Sequence, residues 1–177
     1  GRATDLRGLR VLVADDNATA RMVCQEMLTA MAFEVTAVAS GEAALAELRK
    51  ANRPGGGAPY SLLLIDWAMP GLDGIETIRR VRAMEDLAQM PKSIVLTALG
   101  RDEVRRVASE AGAAAFLTKP VNISVLFDTI ASLYADDDTA PDWAAAASAD
   151  RGGLDGVRVL LAEDNEINQQ VAVELLT

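Results

Sequence analysis

The chain has 177 residues, half of them apolar and 24% charged, which suits one buried domain of about 100–150 residues with a shorter appendage. Its 26 acidic residues outweigh 17 basic ones for a formal charge of −9, with no histidine, so nonspecific attraction to nucleic acid or anionic lipid is disfavoured and a cation or a basic partner patch fits better. No apolar run approaches the about 20 residues of a membrane span and no signal-peptide core is present, so the segment is expected to be cytoplasmic and to touch no membrane.

In chain order, Leu9 to Ala14 reads as a first strand and Thr19 to Ala30 as a helix. That helix carries Cys24, the one cysteine, which excludes a disulfide framework and a thiolate metal cluster and points to a reducing compartment. Phe33 to Val38 reads as a second strand, and Ser40-Gly41-Glu42 opens a second helix running to Lys50. The stretch Pro54-Gly55-Gly56-Gly57-Ala58-Pro59 breaks the chain; it lacks the Lys-Ser/Thr ending of a phosphate-binding P-loop and reads as an inserted loop. Tyr60 to Ile65 is the third strand, Pro70-Gly71 a turn, and Gly74 to Met84 the third helix. Ser93 to Leu96 and Ala114 to Leu117 are strands, separated by a helix over Asp102 to Ala111 and followed by one over Ile123 to Tyr134. Five alternations of strand and helix predict a parallel sheet covered on both faces, because each parallel crossover needs a helix-length connection.

Beyond Tyr134 the composition shifts to Asp136-Asp137-Asp138-Thr139-Ala140-Pro141-Asp142, then an alanine run over Ala144 to Ala147, then Arg151-Gly152-Gly153. Residues 136–153 read as an acidic, Ala-rich linker, with Trp143 as its one large anchor and the alanines as a candidate short helix. An internal repeat follows: LRGLRVLVADDN from Leu6 to Asn17 returns as LDGVRVLLAEDN from Leu154 to Asn165. Val23, Glu26, Leu28 and Thr29 return as Val171, Glu174, Leu176 and Thr177. Residues 154–177 therefore read as the first strand and helix of a second copy, and the sequence as an excised piece of a longer protein.

The chemistry-bearing residues fall where strands end. Asp15 and Asp16 follow the first strand, Asp66 closes the third, Thr97 the fourth, and Lys119-Pro120 follows the fifth. In a doubly wound sheet these edges meet beside the point where strand order reverses. Three carboxylates crowded there repel one another unless a cation intervenes, which implies a divalent metal; oxygen ligands favour Mg²⁺, with Mn²⁺ as the alternative. A lysine can pair with phosphoryl oxygens and a threonine hydroxyl can hydrogen-bond another. Singly, an Asp-Asp pair reads as a helix cap, Thr97 as a strand end and Lys119 as a surface charge; together they suit phosphoryl transfer to an aspartate.

The ordered set VLVADDN, LLLIDWAMPGLDG, VLTALG and AFLTKP closely resembles the receiver domain of response regulators, most of all the receivers of hybrid sensor histidine kinases, over about residues 8 to 135. The resemblance implies a flavodoxin-like (βα)5 three-layer sandwich with parallel order 2-1-3-4-5, and a receiver domain over residues 1–135. It implies that Asp66 accepts a phosphoryl group from a histidine kinase or a histidine phosphotransfer domain. Asp15, Asp16, Asp66 and the Ala68 backbone carbonyl would hold Mg²⁺. Lys119 would contact the phosphoryl group. Thr97 and Phe116 would be the switch residues, and the Lys119-Pro120 peptide would be cis. A plain core aromatic is the bland reading of Phe116, whose ring lacks the hydroxyl a tyrosine would offer partners. Ala68 and Leu99, two residues past Asp66 and Thr97, cannot hydrogen-bond an attacking water, so slow loss of the phosphoryl group is expected.

Haloacid-dehalogenase-like phosphatases combine similar groups, but they place an Asp-x-Asp nucleophile first and the acid pair last, whereas here the pair comes first and Asp66 is followed by Trp67-Ala68. A receiver-like interaction module that is never phosphorylated is the other reading. With no histidine, the segment cannot supply its own phosphohistidine, and as a stand-alone piece it is expected not to be an enzyme. The repeat at 154–177 holds Glu163-Asp164 but no acceptor Asp, switch Thr or Lys; it has disorder, folding back, or self-association with another copy open to it.

Overall fold

The computed structural model describes residues 6–98 and 102–135, with the side chains of 102–104 left aside. Leu99, Trp143, the alanine run, the linker and the repeat at 154–177 lie outside the described residues. Ten elements alternate along the chain: β1 (Arg10–Ala14), α1 (Ala18–Ala30), β2 (Glu34–Val38), α2 (Gly41–Ala51), β3 (Leu62–Asp66), α3 (Gly74–Arg82), β4 (Lys92–Thr97), α4 (Asp102–Glu110), β5 (Ala115–Thr118) and α5 (Ile123–Tyr134). The strands form one sheet of order β2-β1-β3-β4-β5, and every pairing is parallel. This is the flavodoxin-like arrangement, with its switch point between β1 and β3.

Alternation along each strand divides the core in two. Leu12, Ala14, Leu63, Ile65 and Val95 point to the face covered by α2, α3 and α4, where they meet Ala44, Leu48, Ile78, Val81 and Ala108. Val11, Val13, Leu62, Leu64, Ile94 and Leu96 point to the other face, against Cys24 and Leu28 of α1 and Leu126 and Ile130 of α5. β3 is buried along its whole length, which explains its unbroken apolar run. The edge strand β2 is only partly covered, and its sequence correspondingly mixes Glu34 and Thr36 with apolar residues.

Boundaries differ from the sequence expectation by one or two residues. The third strand begins at Leu62 because Tyr60 turns away to bond Thr36 Oγ1 at 2.8 Å and Glu47 Oε1 at 3.0 Å through its hydroxyl. The third helix stops at Arg82, with Met84 accommodated in the turn beyond it. The Gly/Pro loop leaves the C-terminal end of α2 and enters the N-terminal end of β3, so it lies at the sheet edge opposite the strand carboxyl ends. Gly55 and Gly57 there adopt φ of 79° and 104°, conformations that side chains resist.

Caps set where the helices on the site edge begin. Asn17, Ser40, Asp73 and Asn122 each accept a backbone N–H from the first turn of α1, α2, α3 and α5. Gly74, first residue of α3, approaches the Asp66 backbone so closely that a Cβ would lie 2.3 Å from its carbonyl oxygen. Replacing Gly74 by Ala must push α3 away from the strand end that carries Asp66. We expect Gly74→Ala to cost about 1–3 kcal/mol in urea-induced unfolding; an unchanged midpoint would contradict this packing.

Candidate functional site

Asp15 and Asp16 occupy the turn between β1 and α1, and Asp66 is the last residue of β3, so the switch-point neighbours deliver all three acids to one edge. One carboxylate oxygen from each lies within 4.8 Å of the others. Asp15 and Asp66 are buried, at 1% and 6% exposure, and Asp16 is exposed at the rim. Lys119 reaches the cluster from beyond β5: its Nζ lies 2.7 Å from Asp15 Oδ2 and 2.7 Å from Asp66 Oδ1. The second Asp15 oxygen, Oδ1, accepts the Asn17 N–H at 2.8 Å. The peptide joining Lys119 to Pro120 is cis.

Thr97 ends β4, is buried, and its carbonyl accepts the Lys119 N–H at 2.8 Å, which ties the two residues through the backbone. Phe116, in β5, pairs with Val95 and is half-buried on the α4 side of the sheet. The guanidinium of Arg105 on α4 lies 4.5 Å from its ring centroid, a cation–π contact that no spacing in the sequence announces. Ala68 is exposed in the loop two residues past Asp66, and Leu99 lies outside the described residues.

A second group escaped the sequence reading. Arg21 donates from Nη1 to the carbonyl of Asp15 at 2.7 Å and to that of Asp16 at 3.0 Å. A signal for it existed: Arg21 stands in the first turn of α1, where the helix dipole disfavours a cation.

The electrostatics follow from this packing. Burial raises the Asp66 carboxyl above its ordinary 3.8, the Lys119 hydrogen bond and charge pull it back, and Asp15 and Asp16 push it up again, with a net rise. Burial alone would lower the Lys119 ammonium, but its hydrogen bonds to Asp15 and Asp66 prevail and hold it above 10.5. One half-buried cation thus faces three carboxylates. An all-oxygen donor set this close, with negative charge left over, fits a hard divalent cation such as Mg²⁺.

The family model described as response regulator receiver domain matches residues 11–131. The chain belongs to the receiver domain family. It is 33% identical over 129 residues to the sensory/regulatory protein RpfC of Xanthomonas campestris, covering 72% of this chain and 17% of that protein. It is 32% identical to the chemotaxis protein CheY of Pseudomonas aeruginosa, over 71% of this chain and 96% of that one. Among solved structures, the receiver domain of the sensor histidine kinase PA1611 of Pseudomonas aeruginosa, with magnesium coordinated in its active-site cleft, is similar at TM-score 0.57 and 30% identity, over 71% of this chain and 95% of that one.

A carboxyl with a raised pKa binds its proton more tightly in the folded protein than in the unfolded chain. Its stabilising contribution is present below the unfolded value near 3.8 and is lost as pH rises through the folded one, so ionised Asp66 destabilises the metal-free protein at neutral pH. Asp66→Asn is therefore expected to melt above the wild type at pH 7 with chelator present. Scanning calorimetry should find that gap closing as pH falls through the raised Asp66 value; an asparagine variant that melts lower at pH 7 would reverse the sign of this argument.

Proposed function

We propose that the chain is the phosphoacceptor receiver module of a two-component phosphorelay, with Asp66 as the nucleophile. The observation that carries this reading is the Lys119 ammonium set 2.7 Å from both Asp15 and Asp66 at the switch-point edge. An Asp66 carboxylate oxygen attacks the phosphorus of a donor phosphohistidine, the P–N bond breaks, and its electron pair remains on the imidazole nitrogen. Burial withdraws water from Asp66, while Lys119 stands ready to exchange a carboxylate partner for a phosphoryl oxygen. Asp15, Asp16, Asp66 and the Ala68 carbonyl would hold Mg²⁺, which when bound supplies neutralising charge to the phosphoryl oxygens.

Thr97 and Phe116 are the proposed switch. Turning them toward the phosphoryl group alters the surface of α4, β5 and α5, where Ile123, Val125 and Phe127 are already exposed for a partner to read. The donor is a histidine kinase or a histidine phosphotransfer domain; the similarity to RpfC and to the PA1611 receiver supports an origin in a hybrid histidine kinase or a tandem-receiver regulator. On this reading residues 1–135 are the receiver, 136–153 a linker, and 154–177 the start of a second receiver. The segment works in the cytoplasm and assists only its own phosphorylation and dephosphorylation.

Incubation with Mg²⁺ and acetyl phosphate followed by intact mass measurement tests the proposal. The wild type should gain one phosphoryl group and Asp66→Asn none; no gain, or a gain that survives the substitution, would favour an interaction module that is never phosphorylated. Because neither Ala68 nor Leu99 offers a hydrogen bond to water, the phosphoryl group should persist. An added hydrogen bond to the attacking water is worth about 1 kcal/mol, so Ala68→Asn with Leu99→Glu should speed hydrolysis roughly five- to thirtyfold. An unchanged lifetime would show that these positions do not control it.

A further inference from the structure

The acid pair needs more than its own side-chain contacts to stand where it does. Asp15 is fixed from several sides: its N–H donates to the Val38 carbonyl at 3.2 Å, Oδ1 accepts from Asn17, and Oδ2 accepts from Lys119. Asp16 is different. It is exposed, it lies two residues beyond the end of β1, and the hydrogen bond made at this residue runs through its carbonyl rather than its carboxylate.

That bond comes from Arg21, whose single Nη1 spans the carbonyls of Asp15 and Asp16. Two consecutive carbonyls drawn to one nitrogen orient the peptide planes on both sides of the Asp16 Cα, and those planes determine where its side chain leaves the backbone. Arg21 is itself held in the first turn of α1, where its N–H donates to the Asn17 carbonyl at 3.0 Å. A cation there opposes the helix dipole, so the favourable partners of the guanidinium are the two carbonyls.

Resting on the phosphoacceptor reading above, we propose that Arg21 is a positioning residue for the metal site: it clamps the β1–α1 turn so that Asp16 joins Asp15 and Asp66 at one cation. The clamp acts through the backbone, and Arg21 itself touches neither metal nor phosphoryl group. In the C-terminal repeat Gln169 stands at the matching position, with a donor but no charge. That residue type supplies a variant separating hydrogen bonding from charge.

Trp67, adjacent to Asp66 and half-buried, is a fluorescence reporter of the site. The experiment titrates the full chain carrying Trp143→Phe, so that Trp67 is its one tryptophan, alone and with Arg21→Met, Arg21→Gln or Arg21→Lys, with MgCl₂ at constant ionic strength, following Trp67 emission. Thermal melts in chelator identify the folded fraction of each variant. Phosphorylation by acetyl phosphate is then measured across Mg²⁺ concentration. Arg21→Met should bind Mg²⁺ about 10–100-fold more weakly and need correspondingly more metal for half-maximal phosphorylation, while its rate at saturating Mg²⁺ approaches that of the wild type. Arg21→Lys should recover most of the lost affinity and Arg21→Gln part of it. If folded Arg21→Met binds Mg²⁺ within about twofold of a wild type that responds normally, or if only its melting temperature falls, the positioning role is refuted and the phosphoacceptor reading stands. A wild type whose emission and phosphorylation are both indifferent to Mg²⁺ would overturn the two together.

Discussion

One ammonium group organises this end of the molecule. Lys119 Nζ lies at hydrogen-bond distance from two buried carboxylates, one in the turn after β1 and one at the end of β3, with a third acid at the rim. Removing charges from water is costly, and like charges at this separation raise each other's proton affinity. The cluster persists because Lys119 compensates part of the charge and the fold imposes the rest of the geometry. The residual negative charge suits the site to a hard divalent cation.

The rest of the structure is arranged to hold that edge still. β3 is central and buried along its whole length, so Asp66 is presented by the least exposed strand of the sheet. Gly74 lets α3 start against the Asp66 backbone, and Asp73 caps that helix by accepting the Glu76 N–H at 2.7 Å. Glu42, at the start of α2, accepts the Leu72 N–H at 3.1 Å and steadies the loop between β3 and α3. Lys119 is anchored by its own N–H to the Thr97 carbonyl, so the cation and the buried threonine move as neighbours. Each of these contacts ends on a backbone group, so the edge is held by the main chain.

Much of this arrangement is legible in the sequence. Apolar runs broken at regular intervals announce parallel strands, and the side chains that close such runs must gather at one edge; hence Asp15, Asp16, Asp66, Thr97 and Lys119 were recognisable as a set. Strand order was not legible from alternation, since any doubly wound sheet alternates; it came from the motif resemblance. Strand limits slipped where a side chain bonded out of pattern, as Tyr60 does with Thr36 and Glu47. The contacts that escaped entirely join a side chain to distant groups without a repeating interval: Arg105 over Phe116, and Arg21 on the carbonyls of the acid turn. Backbone carbonyls carry no residue identity, so a clamp made on them leaves no motif, only an arginine at the wrong end of a helix.

The central claim, that an under-compensated acid cluster seeks a divalent cation, is tested most directly by thermal unfolding across a Mg²⁺ titration at fixed ionic strength. The account predicts a melting temperature that climbs with the logarithm of Mg²⁺ once the site begins to fill, with the climb much reduced in Asp16→Asn and Asp66→Asn. An increase reproduced by matched NaCl, or one equally large in both variants, would contradict it.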